Sequence, residues 1–186
     1  MTISKPLKTG IIVVLAFIGL AVFSRLTKAK PNEANKTENP NIEKNIVDTS
    51  IKGLMPVDIY LNLEKKGYAI TKNHSLEYGD LINCKNSSAG IDYVVDISGN
   101  NENPVEEVRA TATINGTEPT KLIIATKPFI KYISSVQYEG SEANKVAEWI
   151  EKNFDNDKST IEVSKVKFTI SAPTKFVRIL SIQKNN

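Results

Sequence analysis

Ile91-Asp92-Tyr93-Val94-Val95-Asp96-Ile97 and, after a turn-rich joint, Val108-Arg109-Ala110-Thr111-Ala112-Thr113-Ile114 are the stretches that decide the fold. In each, apolar side chains recur on every second residue and mostly polar ones fill the gaps. That period puts alternate side chains on opposite faces of a strand, one face dry and one wet. A half-wet sheet is the mark of antiparallel pairing, since parallel sheets are covered on both sides.

Outward from this pair, the joints are rich in turn formers: Asn86-Ser-Ser-Ala-Gly90 before the first stretch and Gly99-Asn-Asn-Glu-Asn-Pro104 after it. Leu76, Tyr78, Ile82 and Cys84 share one parity and predict a preceding strand. Asn115-Gly116 is a strong two-residue hairpin signal and predicts a partner strand at Leu122-Ile-Ile-Ala-Thr126. After Pro128 the period changes: Phe129, Ile130, Ile133 and Val136 lie at helical spacing. A further helix is expected from Ser141 as N-cap, with Ala143, Val146, Ala147, Ile150 and Phe154 as its apolar stripe, Trp149 at the stripe's edge, and Asp155-Asn-Asp157 as its end. Two last strands are expected, one at Ile161–Val163 running on through Val166, Phe168 and Ile170, the other over Phe176–Ile182. Upstream, Pro56 and Asp58 suit a first helical turn, Lys65 and Lys66 a last one, and Gly67 a left-handed cap. Strand–helix–strand alternation is absent, which argues against a doubly wound parallel sheet. The predicted fold class is α+β, an antiparallel β-sheet with helices packed on one face, preceded by an N-terminal transmembrane or signal helix.

That N-terminal element is read from residues 10–24, Gly-Ile-Ile-Val-Val-Leu-Ala-Phe-Ile-Gly-Leu-Ala-Val-Phe-Ser, which hold no charge. Fifteen residues of helix reach ~22 Å, short of a hydrocarbon core of ~30 Å. Extension through Leu26-Thr27, with Arg25 reaching to the headgroups, lengthens the span. A cleaved export signal fits the length without adjustment, but Arg25 and Lys28 are poor neighbours for a cleavage site. A type IV pilin start is excluded: Gly10 is followed by Ile11, and no Glu lies in the run. The chain thus divides into a basic N-terminal region (1–9), a transmembrane anchor or signal segment (10–27), a polar linker (28–48) and a soluble α+β domain (49–186). The expected placement is a single-pass cell-membrane protein, N-terminus inside and domain outside, or a secreted or periplasmic one if the segment is cleaved.

Composition agrees with a folded domain: 40% hydrophobic and 24% charged residues in a chain of 186. The formal charge of +3 is a property of the N-terminus, where Lys5, Lys8, Arg25, Lys28 and Lys30 stand without an acid. With those five set aside, 19 of the 24 basic side chains face 21 acidic ones. A nucleic-acid binder would gather its basic residues on the folded domain, so no nucleic-acid partner is expected. The expected partners are membrane lipid, through residues 10–27, and a protein or cell-envelope component.

Candidate site chemistry is sparse. Cys84 is the lone cysteine, which leaves no intramolecular disulfide and no Cys-based zinc site; its parity with Ile82 predicts an inert core thiol. His74, the lone histidine, is expected in an exposed loop. Asp92 and Asp96 share a strand face ~13 Å apart, wider than paired-carboxylate hydrolysis requires. Glu106-Glu107 reads as a solvated acid pair. Asp155-Asn-Asp157-Lys-Ser159 starts like a calcium loop, but Thr160 and Val166 stand where Gly and Glu are needed. No catalytic, cofactor-binding or metal residue is nominated and no cofactor is expected. The sequence reading is a membrane-tethered extracytoplasmic binding or envelope-associated protein, bacterial in character and without catalytic activity. The alternatives are an exported hydrolase with an acid-based site and a secreted inhibitor-type protein.

Overall fold

The computed structural model describes residues 48–75, 79–99 and 104–185. The basic N-terminal region, the membrane segment and nearly all of the linker lie outside the described residues, as do Leu76 and Tyr78. Among the described residues, no helix is long and apolar enough to cross a membrane.

The domain is α+β. In chain order come α1 (Pro56–Glu64), β1 (Ala69–Ser75), β2 (Gly79–Ser88), β3 (Ile91–Gly99), β4 (Glu107–Ile114), α2 (Pro119–Ser134), α3 (Ala143–Asn153), β5 (Lys158–Val163), β6 (Val166–Thr174) and β7 (Val177–Lys184). The strands form one seven-stranded sheet in the order β1-β2-β3-β4-β7-β6-β5. Every neighbouring pair is antiparallel.

The alternation of β3 and β4 is realised as read. Ile91, Val95 and Ile97 are buried, as are Val108, Ala110, Ala112 and Ile114. The register extends their rows across the sheet. Ile82, Ile97, Val108, Ile182 and Phe168 form one row, and Cys84, Val95, Ala110, Leu180 and Ile170 the next. All ten side chains are buried, and they share one core with Ile59 and Leu63 of α1, Ile130 and Ile133 of α2, and Val146 and Ile150 of α3. Cys84 sits in this core with its thiol pushed up to about 12, chiefly by burial and then by the charge of Asp96. The opposite face presents polar side chains: Asn83, Asp96, Arg109, Ser181, Thr169 and Thr160 make one row along it.

Several expectations need correction. Leu122–Thr126 is not a hairpin strand; residues 119–134 are a single helix with Pro119 in its first turn. The hairpin signal is overridden because Asn115 uses its side-chain amide on Asp92 Oδ2 (2.6 Å) and its backbone N–H on Gly90 O (2.8 Å). Pro128 lies inside α2 rather than ahead of it. It is tolerated because Pro128 and Ile124, whose carbonyl loses its partner, both lie on the exposed side where water can bond that carbonyl. The expected strand from Ile161 to Ile170 is two strands, β5 and β6, folded back at Ser164-Lys165. The N-cap of α3 is Glu142, not Ser141, whose hydroxyl instead donates to Gln137 Oε1 at 3.2 Å. His74 is exposed as expected but lies in β1, not in a loop.

Arg178 stands at a core parity position of β7 and is 6% exposed. Its Nε donates to Phe154 O (3.0 Å) at the end of α3, its Nη2 to Asp155 Oδ1 (3.1 Å), and its Nη1 to Val177 O (3.0 Å). The guanidinium therefore satisfies the negative carbonyl end of α3 and ties that helix to the sheet.

Helices α2 and α3 are clamped on their outer side by Glu151. It accepts from Lys127 Nζ at 2.8 Å and from Lys131 Nζ at 3.2 Å, one helical turn apart. These bonds, that of Lys127 first, hold the Glu151 carboxyl below its ordinary range. A depressed carboxyl stabilises the fold above its unfolded pKa of ~4.3 and loses that contribution as pH falls through the lower folded value. Glu151→Gln is therefore expected to lower the thermal midpoint at pH 7 and to converge on the parent protein as pH falls below the lowered folded value, as followed by circular dichroism melts.

Candidate functional site

Of the acids singled out in the sequence, Asp92, Asp96 and Glu107 lie on the open sheet face, each in use as an acceptor. Asp92 takes hydrogen bonds from Ser87 Oγ and Asn115 Nδ2, both at 2.6 Å, which draw its carboxyl below the ordinary range. Asp96 accepts from Asn83 Nδ2 at 2.6 Å. Glu107 accepts from Arg109 Nη2 (3.2 Å) and Ser181 Oγ (2.9 Å). Asp96 and Glu107 meet, with Leu81, Ser98 and Arg109, around a shallow cleft of about 270 Å³. Asp92 does not reach it.

The remaining candidates separate. His74 Nδ1 bonds Asp80 Oδ1 across the β1–β2 pair, where Asp80 is nearly buried and the histidine ring exposed. Trp149 packs half-buried against the core rim. Asp155 is committed to Arg178. Among the described residues no group of His, Cys, Asp and Glu is placed to hold a metal ion.

Two further cavities were not foreshadowed. One, of about 430 Å³, lies between α1 and α2 and is lined by Asp58, Asn62, Tyr132, Ser135 and Gln137 among others. Its polar groups are largely spoken for: Asp58 Oδ2 accepts the Met55 N–H (3.1 Å), Asn62 Nδ2 donates to Asp58 O (2.7 Å), and Gln137 Nε2 to Ser135 O (2.8 Å).

The other, of about 410 Å³, is built from three segments brought to one end of the sheet: residues 50–52, 138–140 and 164–166, with Lys184 completing the wall. Backbone bonds fix these walls. Glu139 N–H donates to Lys52 O (2.9 Å), and Asn185 N–H to Lys165 O (2.7 Å). The buried Tyr138 hydroxyl donates to Val163 O (3.1 Å), and burial pushes that phenol up to about 12. The turn Ser164-Lys165 has φ of 48° and 65°, a conformation costly for residues bearing a Cβ. Gly140, at φ +80°, lets this turn close: a Cβ there would lie 2.8 Å from Ser164 Oγ and 2.9 Å from its Cβ.

The floor of this pocket is the buried Ile51 and Val166, and its rim carries Lys52, Lys165 and Lys184. Lys184 Nζ bonds Asp48, through the backbone carbonyl and through Oδ2 at 3.0 Å. Asp48 Oδ1 also takes the Ser50 hydroxyl (2.5 Å) and Ser50 N–H (3.0 Å). The Ser50 hydroxyl first, then its amide and Lys184, hold the Asp48 carboxyl far below the usual carboxylate range. Lys52 faces Glu139 at 3.8 Å, with both side chains more than two-thirds exposed, a pair worth little in water. Among the described residues no acid stands within salt-bridge distance of Lys165. The sequence offers no local signal for this site, because its lysines belong to three distant segments that only the β6–β7 register and the chain's first turn bring together.

Gly140→Ala tests the pocket's construction. Left-handed backbone and the contact with Ser164 are expected to cost about 1–3 kcal/mol in urea denaturation, with the mutant's amide exchange raised at the Ser164-Lys165 turn.

No protein-family model, no curated protein and no solved structure matches the chain. What it does is therefore argued from its own residues.

Proposed function

We propose that the chain is a membrane-tethered extracytoplasmic protein of the cell envelope whose folded domain binds rather than catalyses. The observation that carries this reading is the uncharged run of residues 10–24 between basic flanks, joined by a polar segment to a domain with its own core. The run engages the membrane, and residues 10–27 hold the chain there. The N-terminus stays inside, and the domain stands outside, where a protein or envelope component meets it. Protease added to intact cells is expected to digest the domain while it remains in the membrane fraction, with the intact mass of the N-terminus recovered. Complete protection of the domain would overturn the orientation, and a trimmed N-terminus in the soluble fraction would replace the tether by secretion.

A second reading, an exported hydrolase with an acid-based site, is favoured by the cleft shared by Asp96 and Glu107. Against it stands the engagement of each carboxylate with a donor on the sheet itself, Asn83 for Asp96, and Arg109 and Ser181 for Glu107. Such partners along and across strands are what a solvated sheet face forms. Any hydrolytic activity found in purified protein is expected to survive both Asp96→Asn and Glu107→Gln; loss of more than ~10²-fold in both, with the fold retained, would establish the hydrolase instead.

A further inference from the structure

We propose that the pocket rimmed by Lys52, Lys165 and Lys184 binds the phosphate headgroup of an anionic phospholipid, so that the end of the domain where the N-terminal segment joins also rests on the membrane surface. The choice of membrane lipid as the source rests on the tethered reading above; the phosphate chemistry rests on the pocket alone.

An anion is already held at the pocket's edge. Asp48 places a carboxylate against Lys184 Nζ, the Ser50 hydroxyl and the Ser50 amide. Those donors satisfy a carboxylate, yet the cavity beside them, about 410 Å³, has two more ammonium groups on its rim and the Ser164 side chain in its wall. Among the described residues Lys165 has no acid partner, and Lys52 has the long, exposed contact with Glu139. Lysine is a point-charge binder of phosphate, so the surplus charge of Lys52 and Lys165 suits a second anion beside the Asp48 carboxylate. The floor adds a second criterion. Ile51 and Val166 are apolar, which suits a phosphate that carries a glycerol and acyl chain rather than one fully hydrated.

Position supplies the third. The chain enters the pocket's edge at Asp48, and residues 28–47 separate it from the membrane segment. Those twenty residues span at most ~70 Å when fully extended, a tether that allows this end of the domain to reach the membrane surface. Anionic lipid attracts such lysines, an attraction that fades within a Debye length.

The test uses the full chain in neutral detergent, with amide hydrogen exchange read at residues 138–140 and 163–166. The additions are short-chain phosphatidylglycerol, inorganic phosphate and short-chain phosphatidylcholine. Phosphatidylglycerol is expected to slow exchange there, phosphatidylcholine to leave it unchanged, and salt to weaken the effect. The double variant Lys52→Ala, Lys165→Ala, which removes exposed side chains and spares Lys184, is expected to lose at least tenfold in apparent affinity with an unchanged melt. Equal protection by inorganic phosphate would overturn the lipid assignment. Absence of protection by either anion would overturn the pocket, even with the chain firmly in the membrane fraction. Protection by phosphatidylglycerol in a chain that fractionates as soluble would uphold the pocket and remove the tether instead.

Discussion

The architecture hangs on β4. It pairs with β3 on one side and with β7 on the other, so the first four strands and the last three become one sheet only across it. Val108 stands between Ile97 and Ile182, and Ala110 between Val95 and Leu180. Those two rows are the centre of the core. Ala110 and Ala112 are fully buried and small, and α2 crosses the sheet over β4 and β7. Larger side chains at these two positions would lift the helix off the sheet and leave Ile130 and Ile133 without their floor. The connection through α2 and α3 is thus fixed by the need of β7 to find β4, and the helices fill the route.

The two flanks of β4 look alike: a helix, a short connection, then a three-strand meander leading inward. Lys65–Tyr68 joins α1 to β1, and Phe154–Asp157 joins α3 to β5, by the same number of residues. This is not an internal duplication. β1, β3, β5 and β7 run in one direction, the helices share one face, and yet one meander advances toward β4 from the left and the other from the right. Two such units have opposite hands and cannot be superposed. Their likeness comes from a common physical problem, covering one face of an antiparallel sheet with amphipathic helices that each precede an edge strand.

How much of this was legible in the sequence follows from where water lies. The β3 and β4 alternation was readable because one face of the sheet is wet and each side chain reports its face. Leu122–Thr126 was not, since four apolar residues and a threonine suit a strand or one turn and a half of helix equally. Its true partners, Ile130 and Ile133, lie beyond a proline that seemed a boundary. The reversal at Ser164-Lys165 left no mark because neither residue is Gly or Asn; tertiary context, through Gly140 at a distant position, makes the left-handed turn fit. Arg178 broke the apolar pattern of β7, and its reason is a helix end in another part of the chain. The lysine pocket was invisible for the same cause, being assembled from segments with no common motif, and the cleft shared by Asp96 and Glu107 was missed because the two acids come from different strands.

The first residues of the domain are not a loose lead-in. Ile51 and Leu54 are buried, Ile51 N–H donates to Val105 O (2.7 Å), and Val105 N–H returns to Leu54 O (2.8 Å). Lys184 at the end of the last strand grips Asp48. The two ends of the domain are therefore stitched together beside the pocket. Any restraint arriving through residues 1–47 meets a hydrogen-bonded segment that is already part of the core, with β7 behind it. An anion in the neighbouring pocket would act on that same junction. It would compete with Asp48 for Lys184 or share it, and in either case its charge would be felt where the chain enters the fold. The proposed binding and attachment would, on this geometry, be two uses of one end of the sheet.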